Sequence, residues 1–185
     1  MNENKLVWSV QNQKKVFSCP VFSVRDIVSL SPGGDRAHFS VIDAADWAII
    51  IPLLEKDGRK YFVMVRQWRH GTQTISLEFP GGVIERGEDP LAGARRELLE
   101  ETGYSAGKIQ KLGELSPNPA IMSNRVHFFM GTELVDSGKQ SLDEDEFVEI
   151  ELTPEEEVIR AIGQPPYVHA LMASALSFYL GGRGL

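Results

Sequence analysis

Acidic side chains at helical spacing are the residues of this chain best suited to chemistry. Glu97, Glu100 and Glu101 stand at positions i, i+3 and i+4, so a helix would place them on one face. Like charges at that spacing destabilise a helix unless a cation compensates them, and carboxylate oxygens are the ligands that magnesium takes. The segment therefore indicates a divalent-metal site, with an ordinary solvent-exposed charged helix as the alternative.

The segment that carries these glutamates has the start and stop signals of a short helix. Asp89 is a suitable N-cap, Pro90 suits the first helical position, and Gly103 favours a stop at the carboxyl end. Apolar residues recur at i, i+3 and i+7, which predicts one buried face. These residues are Leu91, Ala94 and Leu98.

The spacing of the charged residues matches a known pattern, G-x5-E-x7-R-E-U-x-E-E-x-G-U, in which U is a bulky apolar or aromatic residue. The matching residues are Gly82, Glu88, Arg96, Glu97, Leu98, Glu100, Glu101, Gly103 and Tyr104. The segment thereby resembles the signature of the Nudix hydrolases, and no position departs from it. Within it, Arg96 is expected to hold Glu88 by a bidentate ion pair.

The resemblance implies the Nudix fold, an α+β fold in which a mixed β-sheet lies between α-helices. It covers about residues 45–180, so the expected division is a Nudix domain at 45–185 and an N-terminal β-strand arm at 1–44. The arm contains short strands separated by turns, such as the one at Ser31–Asp35. A similar antiparallel β-subdomain is a dimerisation element in members that cleave nucleoside diphosphate sugars. A homodimer is therefore expected, with a plain extension of the sheet as the alternative.

Several further elements are predicted from periodicity and turn signals. Strands are expected at Trp47–Leu54, Tyr61–Trp68 and Ile109–Ser116. A helix should open at Thr153 with Pro154 in its first turn, and a final helix is expected at Tyr167–Leu180.

The activity that the resemblance implies is metal-dependent hydrolysis of a pyrophosphate bond. The family pattern implies that Glu97, Glu100, Glu101 and the carbonyl of Gly81 hold Mg²⁺, for which Mn²⁺ can substitute. Glu100 and Arg96 are also expected to be catalytic. Structural roles are implied for the motif residues Gly82, Glu88 and Gly103.

An acidic loop at Asp136–Glu146 is the expected source of a further catalytic group. Runs of acids are usually solvent-exposed, but a loop at this location in the family supplies a glutamate that activates water or binds metal. On that resemblance, Glu144 is assigned as the general base and Glu146 as a metal ligand.

Substrate contacts are predicted around the second core strand. The segment Val65–His70 resembles one in ADP-ribose pyrophosphatase-like Nudix proteins, and arginine and tryptophan can bind phosphate or stack on a base. A strand end with solvated charges is the alternative. The predicted substrate-binding residues are Arg66, Trp68, Arg69, Glu78 and Pro119, and for Glu78 the alternative is that it supports a neighbouring site residue instead of touching the substrate.

Net charge and composition limit the partners and the location expected for the protein. The net charge of −7 argues against general binding to nucleic acid or to an anionic membrane. It also implies that bound cations must reverse the field around a polyanionic diphosphate substrate. A single cysteine, Cys19, and an amino terminus without an apolar signal segment favour a cytoplasmic location.

The leading hypothesis is a pyrophosphatase that converts ADP-ribose to AMP and ribose 5-phosphate. One alternative is a Nudix enzyme for another nucleoside diphosphate sugar, a dinucleotide or an oxidised nucleotide. The other is a catalytically silent Nudix module that binds a ligand, against which stands the presence of every motif carboxylate.

Overall fold

The computed structural model describes residues 5–144 and 146–182. The strands in this part of the chain are β1 (Ser9–Ser18), β2 (Phe22–Leu30), β3 (Arg36–Ala44), β4 (Trp47–Lys56), β5 (Arg59–Arg69), β6 (Thr74–Glu78), β7 (Gly81–Val83), β8 (Tyr104–Leu115), β9 (Val126–Asp136) and β10 (Val148–Pro154). The helices are α1 (Pro90–Thr102), α2 (Glu155–Ala161) and α3 (Ala170–Gly181). Among the described residues, no helix is both long enough and apolar enough to cross a membrane.

Two compact units make up the described chain. One contains residues 5–45 together with 116–125, and the other contains residues 46–115 and 126–182. In the first unit β1, β2 and β3 form an antiparallel sheet in that order. The segment 116–125, which the sequence-based division did not include, joins this unit through a bridge between Ile42 and Met122. Asp43 links three parts of the unit, because it accepts hydrogen bonds from Arg25 and from Ser123.

The second unit is built on a seven-stranded mixed sheet. Its main order is β10-β5-β4-β9-β8, with β6 paired to β5 and β7 paired to β4. Strands β4 and β9 run parallel, and the other pairs are antiparallel. Core residues pack on both faces of β4, which explains its nearly continuous apolar sequence.

Helices cover both faces of this sheet, as the sequence predicted. Ile49 and Ile51 pack on one side in a core that includes residues of α2 and α3. Ala48 and Ile50 point to the other side, where they pack with Leu98 of α1. Helix α1 therefore lies on one face of the sheet, directly beside the short strand β7.

Helix α1 begins and ends where the sequence predicted. Its N-cap Asp89 accepts hydrogen bonds from the backbone N–H groups of Leu91 and Ala92, at 2.9 and 3.3 Å. At its carboxyl end, Gly103 adopts a left-handed conformation with φ of 67°. This conformation is readily available to glycine, and it turns the chain directly into β8.

Three predicted boundaries were wrong. Strand β8 begins at Tyr104 rather than Ile109, because the turn at Gly103 leads straight into the sheet. Thr153 belongs to β10, where it pairs with Phe62, so α2 starts at Glu155 without a side-chain cap. Helix α3 starts at Ala170, because Tyr167 is held in a loop by backbone hydrogen bonds with residues 163 and 164.

Candidate active site

Glu101 is buried against the strand that precedes helix α1. Its side chain is 4% exposed, and Oε2 accepts a hydrogen bond of 2.8 Å from the backbone N–H of Gly81. Burial raises the pKa of Glu101 to about 8, against the lowering effect of that hydrogen bond, and nearby Glu97 and Glu146 raise it further. A cation bound beside such a carboxylate would favour its ionised form.

Glu97 reaches the same strand through a space that only glycine leaves open. A Cβ atom added at Gly82 would lie 2.6 Å from Oε1 of Glu97, and one added at Gly81 would lie 2.2 Å from the carbonyl oxygen of Ala48. Burial raises the pKa of Glu97, although Arg96 acts to lower it. Gly82 thus allows the Glu97 carboxylate to approach β7, and Gly81 allows β7 to lie close to the backbone of β4.

Arg96 connects the motif residues. Its Nε and Nη2 donate to the two carboxylate oxygens of Glu88 at 3.0 and 3.1 Å, which confirms the expected bidentate pair. Nη2 also donates to the carbonyl of Val83, and Nη1 donates to Glu97 and Glu100 at 2.8 and 3.0 Å. Arg96 therefore compensates part of the negative charge of α1. Glu100 points towards Arg96 and is 38% exposed.

The acidic loop after β9 is attached to the carboxyl end of α1. Gln140 Nε2 donates a hydrogen bond of 2.6 Å to the carbonyl of Glu101. Gly103 is packed so closely under the loop that an added Cβ would lie 2.9 Å from the carbonyl oxygen of Lys139. The motif glycine therefore both ends the helix and gives the loop room to pass.

Two acids of this loop face the buried carboxylates. Asp143 and Glu146 line the cleft that contains Glu97 and Glu101. They are joined by backbone and side-chain hydrogen bonds, with the N–H of Asp143 donating to Oε2 of Glu146 at 3.3 Å. All three acids are exposed, but Glu144 is not among the residues that line the cleft. Glu146 therefore lies where a metal ligand or a general base is needed and Glu144 does not line that space, while the predicted roles of both stay predictions.

The cleft has a volume of about 330 Å³ and is mainly polar. It is lined by Gln67, Arg69, Gly81, Gly82, Val83, Glu85, Arg96, Glu97, Glu101, Asp143 and Glu146. A second cleft of about 290 Å³ shares Arg69 and residues 81–83 with the first. Its other walls are Trp47, Ile49, His169 and Leu171.

Strand alternation separates the predicted substrate residues of β5. Gln67 and Arg69 lie on the face that lines the cleft, so Arg66 and Trp68 fall on the opposite face. Arg66 is bonded there to Glu151 of β10. The structure thus brings Arg69 to the site but does not bring Arg66 or Trp68 there.

Glu78 supports Arg69 instead of facing the cleft. Its side chain is 3% exposed, and its two oxygens accept hydrogen bonds of 2.9 and 2.6 Å from Nε and Nη2 of Arg69. Pro119 belongs to the unit that contains the N-terminal strands. Its predicted substrate contact stays a prediction.

The donors in the first cleft suit magnesium. In the described part of the chain, no three His, Cys, Asp or Glu side chains are arranged to hold a metal ion by themselves. Mg²⁺ does not need such a set, because it usually takes one or two carboxylates and completes its shell with water and substrate phosphates. Burial raises the pKa values of both Glu97 and Glu101, and the bond from Arg96 to Glu97 offsets this only in part, so a bound cation would favour the ionised forms of both carboxylates. They fit this ion.

Comparison with known proteins agrees with the motif and the geometry. A model of the NUDIX domain matches residues 45–173. The chain belongs to the Nudix family. It is accordingly a Nudix pyrophosphohydrolase, and its helix α1 with the preceding loop is the Nudix motif.

Relatives of this Nudix protein carry different names. It is 34% identical to ADP-ribose pyrophosphatase of Bacillus subtilis (strain 168) over 132 residues, which cover 71% of this chain and 70% of that protein. It is 40% identical to the methanol dehydrogenase activator of Bacillus methanolicus over 148 residues, or 77% of each chain. The crystal structure of an ADP compounds hydrolase superposes with a TM-score of 0.81 and covers 96% of each chain at 23% identity. That likeness confirms the predicted Nudix fold.

Sequence reasoning missed His169 and Trp47 as residues of the Nudix site. His169 lies far from Glu101 in the sequence with no motif around it, so only the fold brings it to the cleft. Its place directly before an apolar helix was the available signal, since residues there often cap the first turn. Trp47 was interpreted only as part of a buried strand.

The raised pKa of Glu101 predicts that the metal-free protein loses stability at high pH. The Glu pKa is 4.5 in the unfolded chain and about 8 in the fold. Stability from this group is therefore complete below pH 4.5 and is lost as the pH rises through 8. In urea unfolding with a chelator, the free energy of unfolding of wild type should fall by roughly 2–5 kcal/mol more than that of Glu101→Gln between pH 5 and 9. Parallel curves for the two proteins would contradict this.

The close approach at Gly82 predicts a specific loss of metal affinity. In Gly82→Ala the new methyl group must displace the Glu97 carboxylate, so Mn²⁺ affinity measured by calorimetry should fall about tenfold or more. Gly71→Ala is the matched control, because a Cβ there would meet no atom within 4 Å. Wild-type affinity in Gly82→Ala would show that Glu97 does not bind the metal.

Proposed function

We propose that the protein hydrolyses the pyrophosphate bond of ADP-ribose to give AMP and ribose 5-phosphate, with Mg²⁺ as cofactor and Mn²⁺ as a substitute. The observation that carries the proposal is a pair of carboxylates, half-buried Glu97 and buried Glu101, packed against Gly82 and Gly81 in a cleft that also contains Arg69. The similarity to ADP-ribose pyrophosphatase of Bacillus subtilis supports the choice of substrate.

Glu97 and Glu101 are the proposed metal-holding side chains. Bound Mg²⁺ supplies positive charge for the diphosphate and lowers the pKa of a bound water. Glu100 can join the ligands only by leaving Arg96, to which it is bonded at 3.0 Å. The Gly81 N–H is already used by Glu101, and its carbonyl stays a proposed ligand.

Glu146 is the proposed general base. It lies in the cleft beside the two buried carboxylates, where it can accept the proton of a water that attacks phosphorus. The P–O bond to the bridging oxygen then breaks, and the departing phosphate carries the bond electrons. Arg69 is placed to bind a diphosphate oxygen, because it lines both clefts.

The second cleft is the proposed place for the group attached to the diphosphate. It adjoins the polar cleft through Arg69, and Trp47, Ile49 and Leu171 give it the apolar walls that ring-shaped ligands favour. Another nucleoside diphosphate sugar, a dinucleotide or an oxidised nucleotide would use the same two clefts. The differing names of the relatives favour testing these substrates in one panel.

Turnover of ADP-ribose tests the reaction. Wild type with Mg²⁺ should release AMP, and Glu101→Gln should lose at least about a hundredfold in kcat/KM because a metal ligand is lost. Glu146→Gln should lower kcat by about 10²–10⁴-fold, the usual contribution of a general base. AMP release is measured by chromatography.

Glu144→Gln tests the sequence-based alternative in the same assay. Retained turnover in this variant would agree with its absence from the cleft lining, whereas a loss equal to that of Glu146→Gln would restore Glu144 as the base. Wild type that is inert towards ADP-ribose but cleaves another diphosphate would contradict only the substrate. Wild type that cleaves none of the panel with Mg²⁺ or Mn²⁺ would contradict the proposed reaction.

We also propose a homodimer that forms through the N-terminal unit, in the cytoplasm. Every residue of β1 is exposed, and apolar side chains of the sheet such as Val10, Val16 and Phe17 are each more than half exposed. A second copy is the expected cover for these side chains. Sedimentation at micromolar concentration should show a dimer, and Val16→Lys should shift it towards monomer. A wild-type monomer would contradict the proposal.

A further inference from the structure

Arg69 is held at the junction of the two clefts by a buried partner. Glu78 engages its Nε and Nη2 groups, and in the described part of the chain no hydrogen bond to Nη1 is formed. Burial of Glu78 acts to raise its pKa, but the hydrogen bonds and the charge of Arg69 act to lower it, and the net direction is down, so the carboxylate is ionised. Nη1 of Arg69 can therefore donate to a ligand, and the orientation of the guanidinium group depends on its bonds to Glu78.

His169 faces the other side of this ion pair. Its Nδ1 accepts a hydrogen bond of 3.2 Å from the backbone N–H of Leu171 and so caps the first turn of α3. Because that nitrogen acts as the acceptor, the neutral ring carries its proton on Nε2. Burial lowers the pKa of His169, which agrees with a neutral ring. Nε2 lies 3.7 Å from Oε2 of Glu78.

The cap therefore fixes both the tautomer and the direction of the ring. The Nε2–H group is turned towards Glu78, whose Oε2 also accepts the bond from Nη2 of Arg69. Rotating the ring would break the cap. The Nε2–H dipole of His169 favours the ionised form of Glu78 and limits the positions that the Glu78 carboxylate can take.

We propose that His169 is a positioning residue, which acts through Glu78 to hold Arg69 in the orientation that binds the diphosphate group of the substrate. This proposal rests on the proposed function only for the class of ligand, a diphosphate. The contacts among His169, Glu78 and Arg69 do not depend on which reaction is catalysed. It explains why a histidine, which has one nitrogen for the cap and another for the carboxylate, stands at the start of α3. Serine or aspartate could supply only the cap.

His169→Ser separates these two roles. Serine can cap α3 but cannot reach Glu78, so the melting temperature should change little while the Kd for ADP rises about tenfold, a usual effect of losing a polar contact that orients a ligand-binding group. Calorimetry with Ca²⁺ in place of Mg²⁺ measures this Kd without turnover. The KM for ADP-ribose should rise in parallel with little change in kcat, as expected for loss of uniform binding. His169→Asn, which can cap and also donate, should recover part of the affinity.

A double-mutant cycle shows whether His169 acts through Glu78. Glu78→Gln alone should weaken ADP binding, and adding His169→Ser to it should have little further effect. Ser174→Ala is the control on α3, since that side chain is half-buried and its hydroxyl donates to the carbonyl of Ala170 in the same helix. Additive losses would mean that His169 contacts the ligand directly and would overturn the proposal, as would wild-type ADP affinity in His169→Ser.

The tautomer gives a readout that does not depend on function. Nitrogen-15 spectra of the histidine side chains at pH 7.5 should show His169 as the neutral Nε2–H form. A proton on Nδ1 would overturn the proposal. If ADP-ribose is not cleaved while the ADP affinities follow the expected pattern, the substrate assignment fails and the role of His169 stands.

Discussion

The site depends on two carboxylates that the fold buries side by side. Glu101 is bonded to the Gly81 N–H, and Glu97 occupies space that a side chain at position 82 would fill. Ionising both in this place is unfavourable without a cation, because burial raises both pKa values. Holding the two carboxylates together therefore costs free energy in the absence of metal and suits the binding of a metal ion. The sheet, the two glycines and α1 impose this arrangement.

The rest of the charged network limits this cost. Arg96 joins Glu88, Glu97 and Glu100, so the motif arginine keeps α1 from carrying uncompensated charge along its whole length. Arg69 is held separately by Glu78 and faces the side where the diphosphate is expected. The net charge of −7 is consequently no obstacle to an anionic substrate, because the local field is set by the bound cation and by fixed arginines.

Local signals made the motif helix and its ion pair predictable. Asp89, Pro90 and Gly103 define α1 by backbone chemistry, and the Arg96–Glu88 pair follows from motif spacing. Strand pairing decided what local signals could not. Side-chain alternation along β5 places Arg66 and Trp68 on the face opposite the cleft. Pairing with β5 keeps Thr153 in a strand. His169 contacts Glu78 only because α3 packs against the sheet. Such contacts join residues far apart in the chain, so neighbouring sequence carries little sign of them.

Anomalous diffraction from crystals soaked in Mn²⁺ is the most direct test of the central claim, that Glu97 and Glu101 form a metal site against β7. We expect an anomalous peak within about 2.0–2.4 Å of carboxylate oxygens of both residues, and its loss in Glu101→Gln. A peak bound only by exposed acids such as Glu144, or the same peak in Glu101→Gln, would contradict it.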